Sequence, residues 1–148
     1  MPLNSLLPMQ RLVAVLQAIP GLQTVYVGIP SGIGTATAAF VALAGQELVT
    51  EVSQILQRRA RYFVCFAYSV ASAPATAEPA VAGFIDAFQT AMVTERSQGM
   101  GGVSGPPIVD SVEWDYALGD RPDYLPIASR EFRVWPCLIT VVQHIDYA

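Results

Sequence analysis

Arg61–Val70, RYFVCFAYSV, is the stretch on which the fold turns. Its two alternating faces are Tyr62, Val64, Phe66 and Tyr68 on one side and Phe63, Cys65 and Ala67 on the other, and both are apolar. Successive strand residues point to opposite sides of a sheet. A segment apolar on both sides is therefore a central strand, or one whose outer face a neighbouring subunit packs.

Upstream of it, Ala38–Ala44 and Glu47–Ile55 flank Gly45-Gln46, a pattern that predicts an extended β-hairpin with its tight turn at those two residues. Before the hairpin, Gly28–Thr37 (GIPSGIGTAT) is turn-rich and reads as a mobile connection, and Leu22–Gly28 (LQTVYVG) has the content of a short strand. Residues 4–18 predict an amphipathic helix. Asn4 or Ser5 caps it, Leu6, Met9, Leu12, Val13 and Leu16 line one face, and Pro20-Gly21 stops it.

Downstream, Ser72–Pro79 reads as a linker, with Pro79 in the first turn of a helix that runs to about Arg96 and presents Val81, Phe84, Ile85, Phe88 and Met92. The Gly-rich stretch Gly99–Pro107 breaks it and reads as a flexible loop. Val109–Leu118 and Arg130–Ile145 follow as strands, separated by a polar loop around Asp120–Asp123. This order predicts one α+β domain over 1–148. Its mixed, mainly antiparallel sheet carries both helices on one face, with the hairpin extending from it.

Composition limits the function. Of 148 residues 53% are hydrophobic and only 14% charged, against about 25% charged in ordinary soluble domains. Part of the surface is thus either unusually apolar or an interface. A net charge of -4 disfavours general nucleic-acid binding. All eight cations are Arg, which excludes lysine Schiff-base chemistry and a Walker-type phosphate loop. Cys65 and Cys137 lack metal-ligand spacing and read as core thiols. No charge occurs between Arg11 and Glu47, but Pro and Gly interrupt that stretch too often for a membrane helix, and no basic leader precedes it. The expectation is a soluble, cytoplasmic chain without a membrane span.

Candidate chemistry is sparse. Gly32-Ile33-Gly34 lacks the third glycine of a dinucleotide loop, and the run from Gly99 follows a helix, whereas phosphates bind where a helix begins. His144 is the one histidine, and no nucleophile elbow accompanies it. Glu113 and Asp115 share one face of their strand, opposite Val112, Trp114, Tyr116 and Leu118; paired carboxylates can act as acid and base in a glycosidase, but no enclosing cleft is indicated, and cross-strand pairing with Arg133 or a solvated wall of carboxylates is the favoured reading. Arg58, Arg59 and Arg61 form the one basic cluster, placed at the start of the central strand.

The sequence of elements resembles the tail terminator proteins of long-tailed bacteriophages. The resemblance rests on the helix with its proline break, the strand Val25–Gly28, the hairpin, the aromatic strand Arg61–Ser69, the helix near Glu78-Pro79, the Gly-rich loop and the closing strand Arg130–Ile139. It implies a virion protein, assembled in the host cytoplasm, that forms a homohexameric ring on the head-proximal end of the tail tube. Such a ring stops tube polymerisation and joins the head connector. The implied partners are further copies of the chain, the tail tube protein and a head-closure or connector protein. DNA would pass the lumen without specific binding. No enzyme activity, metal or cofactor is implied. On this reading Glu113 and Asp115 face the lumen or a partner groove. Gly45, Gln46, Arg58, Arg59, Gly99, Gly101 and Gly102 contact neighbouring subunits or rings. Another neck component is the alternative, and a small hydrolase using His144 a more distant one.

Overall fold

The computed structural model describes residues 3–22, 24–33, 37–52, 55–69, 74–103, 105–115, 123–127 and 130–146. Its elements run α1 (Leu6–Gln17), β1 (Val25–Val27), β2 (Thr37–Val52), β3 (Ile55–Ser69), α2 (Pro74–Ser97), β4 (Ser111–Asp115), β5 (Asp123–Ile127) and β6 (Arg130–Asp146). The six strands form one sheet in the order β1-β2-β3-β6-β4, with β5 also on β6. Only β1 and β2 are parallel. The fold is the expected α+β, and its central strand is the expected one: β3 lies between β2 and β6 from Ile55 to Tyr68.

Both helices pack on one face. Leu12 and Leu16 of α1 and Val81, Phe88 and Met92 of α2 join Val41, Tyr62, Val64, Phe66, Ile139 and Val141 of the sheet in one core cluster. Phe66 and Phe88 meet edge to face with ring centres 5.9 Å apart. On the other face a smaller cluster gathers Ala38, Ala67, Phe132 and Val134 with Ile127 and Ile33. Asn4 caps α1, its Oδ1 accepting the N–H groups of Leu6 (2.9 Å) and Leu7 (3.1 Å). At the end of α2, Gly99 and Met100 take φ of 58° and 59°. The Met100 N–H donates back to the Glu95 carbonyl at 2.9 Å, a left-handed stop that a glycine makes easy.

Three boundaries differ from expectation. Gly45-Gln46 is not a turn, because β2 runs straight through it and the two-residue connection, 53–54, lies outside the described residues. Gly45 pairs with Arg61 just after a register shift from Leu43. One extra residue thus forms a β-bulge, which passes the alternation to the opposite face without ending the strand. The second helix begins at Pro74, so Pro79 lies inside it and most of the expected linker is helical. The expected polar loop holds β5, whose Pro126 is tolerated because the strand sits at an edge. Tyr116–Leu118 and 119–122 lie outside the described residues.

Candidate interaction surfaces

The sheet face away from the helices carries a band of mixed charge. Register places Gly45, Arg61, Thr140 and Glu113 in one row across four strands, and Glu47, Arg59, Val142 and Ser111 in the next. Directly opposed residues share a face. Glu47 Oε1 accepts from Arg61 Nη2 at 2.8 Å and from Arg59 Nη1 at 3.1 Å. The Arg61 guanidinium, and after it Arg59, holds the Glu47 carboxyl below its usual range. Glu113 is exposed beside Thr140, while the side chain of Asp115 lies outside the described residues. Neither acid lies opposite Arg133, because β4 pairs with residues 138–142. Arg133 instead binds Glu78 of α2 at 2.9 Å and covers the Trp135 ring, its Cζ 4.9 Å from the centroid.

Arg58 lies in mid-strand rather than at the start of one, and turns to the helix face. There it donates to Gln143 Oε1 (3.0 Å) and to Gln46 Oε1 (3.5 Å). Gln46 donates to Ser5 Oγ, and the Tyr62 hydroxyl to the Ser5 carbonyl at 2.6 Å. Buried Gln143 accepts the Asn4 N–H and donates to the Ile108 carbonyl. This knot seats the start of α1 on β2, β3 and β6. Burial pushes the Tyr62 phenol up to about 12, against the smaller opposing effect of Arg58. The helices are joined to each other by a bidentate pair, Arg11 Nη2 to Glu95 Oε1 at 2.6 Å and Nε to Oε2 at 2.8 Å. That hydrogen bond raises the Arg11 pKa further.

The loop after α2 is a closed structure. The Gly99 carbonyl accepts from the N–H groups of Ile108 (2.9 Å) and Val109 (3.2 Å). A Cβ at Gly99 would come within 2.6 Å of the Pro107 Cβ, and one at Gly101 would strike the Pro106 carbonyl. Gly102 has open space around it and φ of 82°. At the tip Val103 is 92% exposed. A second apolar surface lies between α1 and β1, where Leu6, Met9, Gln10, Val13 and Val27 line a groove of about 310 Å³. Val27 and Leu6 are 66% and 57% exposed there. Of the apolar face expected for α1, Leu12 and Leu16 are buried and Met9 and Val13 pack against the core, while Leu6 is exposed. Amphipathic spacing does not tell a buried apolar face from its uncovered flank.

His144 Nδ1 lies 2.6 Å from Asp110 Oδ2, tying β6 to the segment before β4. Cys65 and Cys137 are buried in neighbouring strands, Cys65 opposite Pro136 and Cys137 opposite Val64. Among the described residues no cluster of His, Cys, Asp and Glu could hold a metal, and no helix is long and apolar enough to cross a membrane.

The fold has two layers, one six-stranded sheet with both helices on one side. Among solved structures it is similar to the sheath/tube terminator of an extracellular contractile injection system, PVC, determined by cryo-EM in the extended state. That likeness has a TM-score of 0.53 at 11% identity and covers 99% of this chain. The chain spans 58% of the length of that terminator. No protein-family model and no curated protein matches the sequence.

Proposed function

We propose that the chain is a tail terminator, its residues 1–148 forming a single terminator domain. Six copies form a ring on the head-proximal end of a phage-type tail tube, end its polymerisation and offer the surface that a head-closure or connector protein joins. The carrying observation is the likeness to a sheath/tube terminator over 99% of the chain. Two exposed apolar features, the α1–β1 groove and the Val103 tip, add support, since ring subunits leave such surfaces for their neighbours. The protein acts by assembly and geometry, without catalysis or cofactor, within the virion.

On this reading Glu113 and Asp115 face the lumen, where carboxylates repel the phosphate backbone and let DNA pass unbound. Gly45, Arg59 and the loop bearing Gly99, Gly101 and Gly102 lie at contacts with neighbouring subunits or rings. Mass measurement of the purified protein, with electron microscopy of tube protein polymerised in its presence, tests the proposal. A six-fold ring on tube ends and tubes of limited length are expected. A stable monomer that leaves tube growth unchanged would overturn it. A ring that joins heads while tubes grow normally would assign the chain to another neck component.

A further inference from the structure

Among the described residues every half-buried arginine meets a carboxylate except one. Arg11 binds Glu95, Arg59 and Arg61 share Glu47, and Arg133 binds Glu78. Arg58 is half-buried like them, yet its acceptors are neutral. They are Gln143 Oε1 at 3.0 Å and Gln46 Oε1 at 3.5 Å, the second at the limit of a hydrogen bond. Its Nε is buried and has no acceptor. A guanidinium partly withdrawn from water without a counter-charge is costly, and the unsatisfied donor within it calls for a partner.

The groups around Arg58 offer donors and no competing anion. Ser5 Oγ accepts from Gln46 Nε2, which leaves its own hydroxyl proton to give, and Gln46 is exposed. Glu47, next in the chain, is held on the opposite face by Arg59 and Arg61. We infer that the Arg58 Nη1 group, with the Ser5 hydroxyl and the Gln46 amide beside it, receives a carboxylate from outside its own chain. A charge-assisted bond there replaces the long contact to Gln46 and is the stronger of the two. Two sources carry that chemistry. One is an acidic side chain of another copy, where Asp86, Glu113 and Glu131 are exposed and make none of the ion pairs described. The other is a small carboxylate in solution. The first source rests on the ring reading above, and the second does not.

Two changes to the full-length protein test it. Arg58→Met removes the charge and leaves Gln143 Oε1 its bond from the Asn4 N–H. Gln46→Glu supplies a carboxylate from within the chain, to which the Ser5 hydroxyl can donate. Neither variant should melt below the wild type, since one deletes an uncompensated charge and the other compensates it. Acetate, set against chloride at equal ionic strength, should raise the melting temperature of the wild type by about 2 °C and that of neither variant. If another copy supplies the carboxylate, self-association measured by sedimentation falls at least about ten-fold in both variants. Unchanged association, with the acetate effect confined to the wild type, assigns the site to a small carboxylate. A monomeric wild type showing that same acetate effect would count against the ring reading and leave the site standing. Arg58→Met melting several degrees below the wild type, or three proteins alike in both acetate response and association, would overturn the site.

Discussion

Replacing Arg11 by alanine strands a carboxylate that the fold has taken out of water. The Glu95 side chain is 6% exposed and its partner 36%, so the pair is buried at one end and wet at the other. Breaking a fully buried pair costs about 3–5 kcal/mol, while exposed pairs contribute about 0–1. With Arg11 a third exposed, water repairs part of the loss, and about 2–3 kcal/mol is expected for Arg11→Ala. In a domain of this size that lowers the melting temperature by about 5–10 °C. Thermal and urea unfolding of Arg11→Ala, Glu95→Gln and the double variant form a cycle, whose coupling energy should be about 1–2 kcal/mol. Arg11→Leu with Glu95→Leu should recover most of the loss, because an apolar pair needs no counter-charge. Single variants each costing less than about 0.5 kcal/mol and adding without coupling would refute the reasoning.

Tyr62→Phe tests the raised phenol. Its folded pKa of about 12 exceeds the ordinary 10.0, so between those values the unfolded chain binds fewer protons and stability falls as pH rises. The contribution, about 2–3 kcal/mol, is whole below pH about 10 and gone above about 12. The phenylalanine variant should lose that alkaline slope and about 1 kcal/mol at neutral pH for the bond to Ser5, and an unchanged slope in alkaline urea titrations would count against the assignment. Gly99→Ala combines a left-handed backbone with collision against Pro107, and should cost about 2–3 kcal/mol in urea unfolding. A neutral result would mean the loop opens freely. Pro79→Ala restores an N–H within α2 and should raise stability by about 1–2 kcal/mol; a lower melting point would show that the proline is needed.

Periodicity made most of the architecture legible. Leu12 and Leu16, and Val81, Phe84, Phe88 and Met92, recur at helical spacing and are core in the structure, and the doubly apolar Tyr62–Tyr68 run is the central strand. Gly45-Gln46 misled because a bulge and a turn share their residue preferences. What separates them is whether the partner strand continues opposite, as Arg58–Arg61 do here. The ion pairs were out of reach for a different reason. Arg11 and Glu95 are 84 residues apart, and nothing local marks which of several arginines a buried acid will meet. Val103 left one faint trace, an apolar residue set, like Met100, in a glycine run. Its exposure comes from the closure of the loop beneath it, which depends on backbone bonds that composition does not encode.

The position of β6 has a consequence in time. It occupies the middle of the sheet but follows every other described strand in sequence. The β2–β3 hairpin can zip as soon as its residues are made, whereas β4 and β5 have only β6 as a partner. Fifteen pairs, from Ile55 with Asp146 to Ser69 with Phe132, then have to form at one stroke along β3. Contacts so distant in sequence are slow to form. Until they do, the free edge of β3 is open to any strand that arrives first, including the β6 of another chain. A chain of this design therefore gains from being synthesised sparsely, since crowding on the ribosome would favour exchanged strands over the closed sheet.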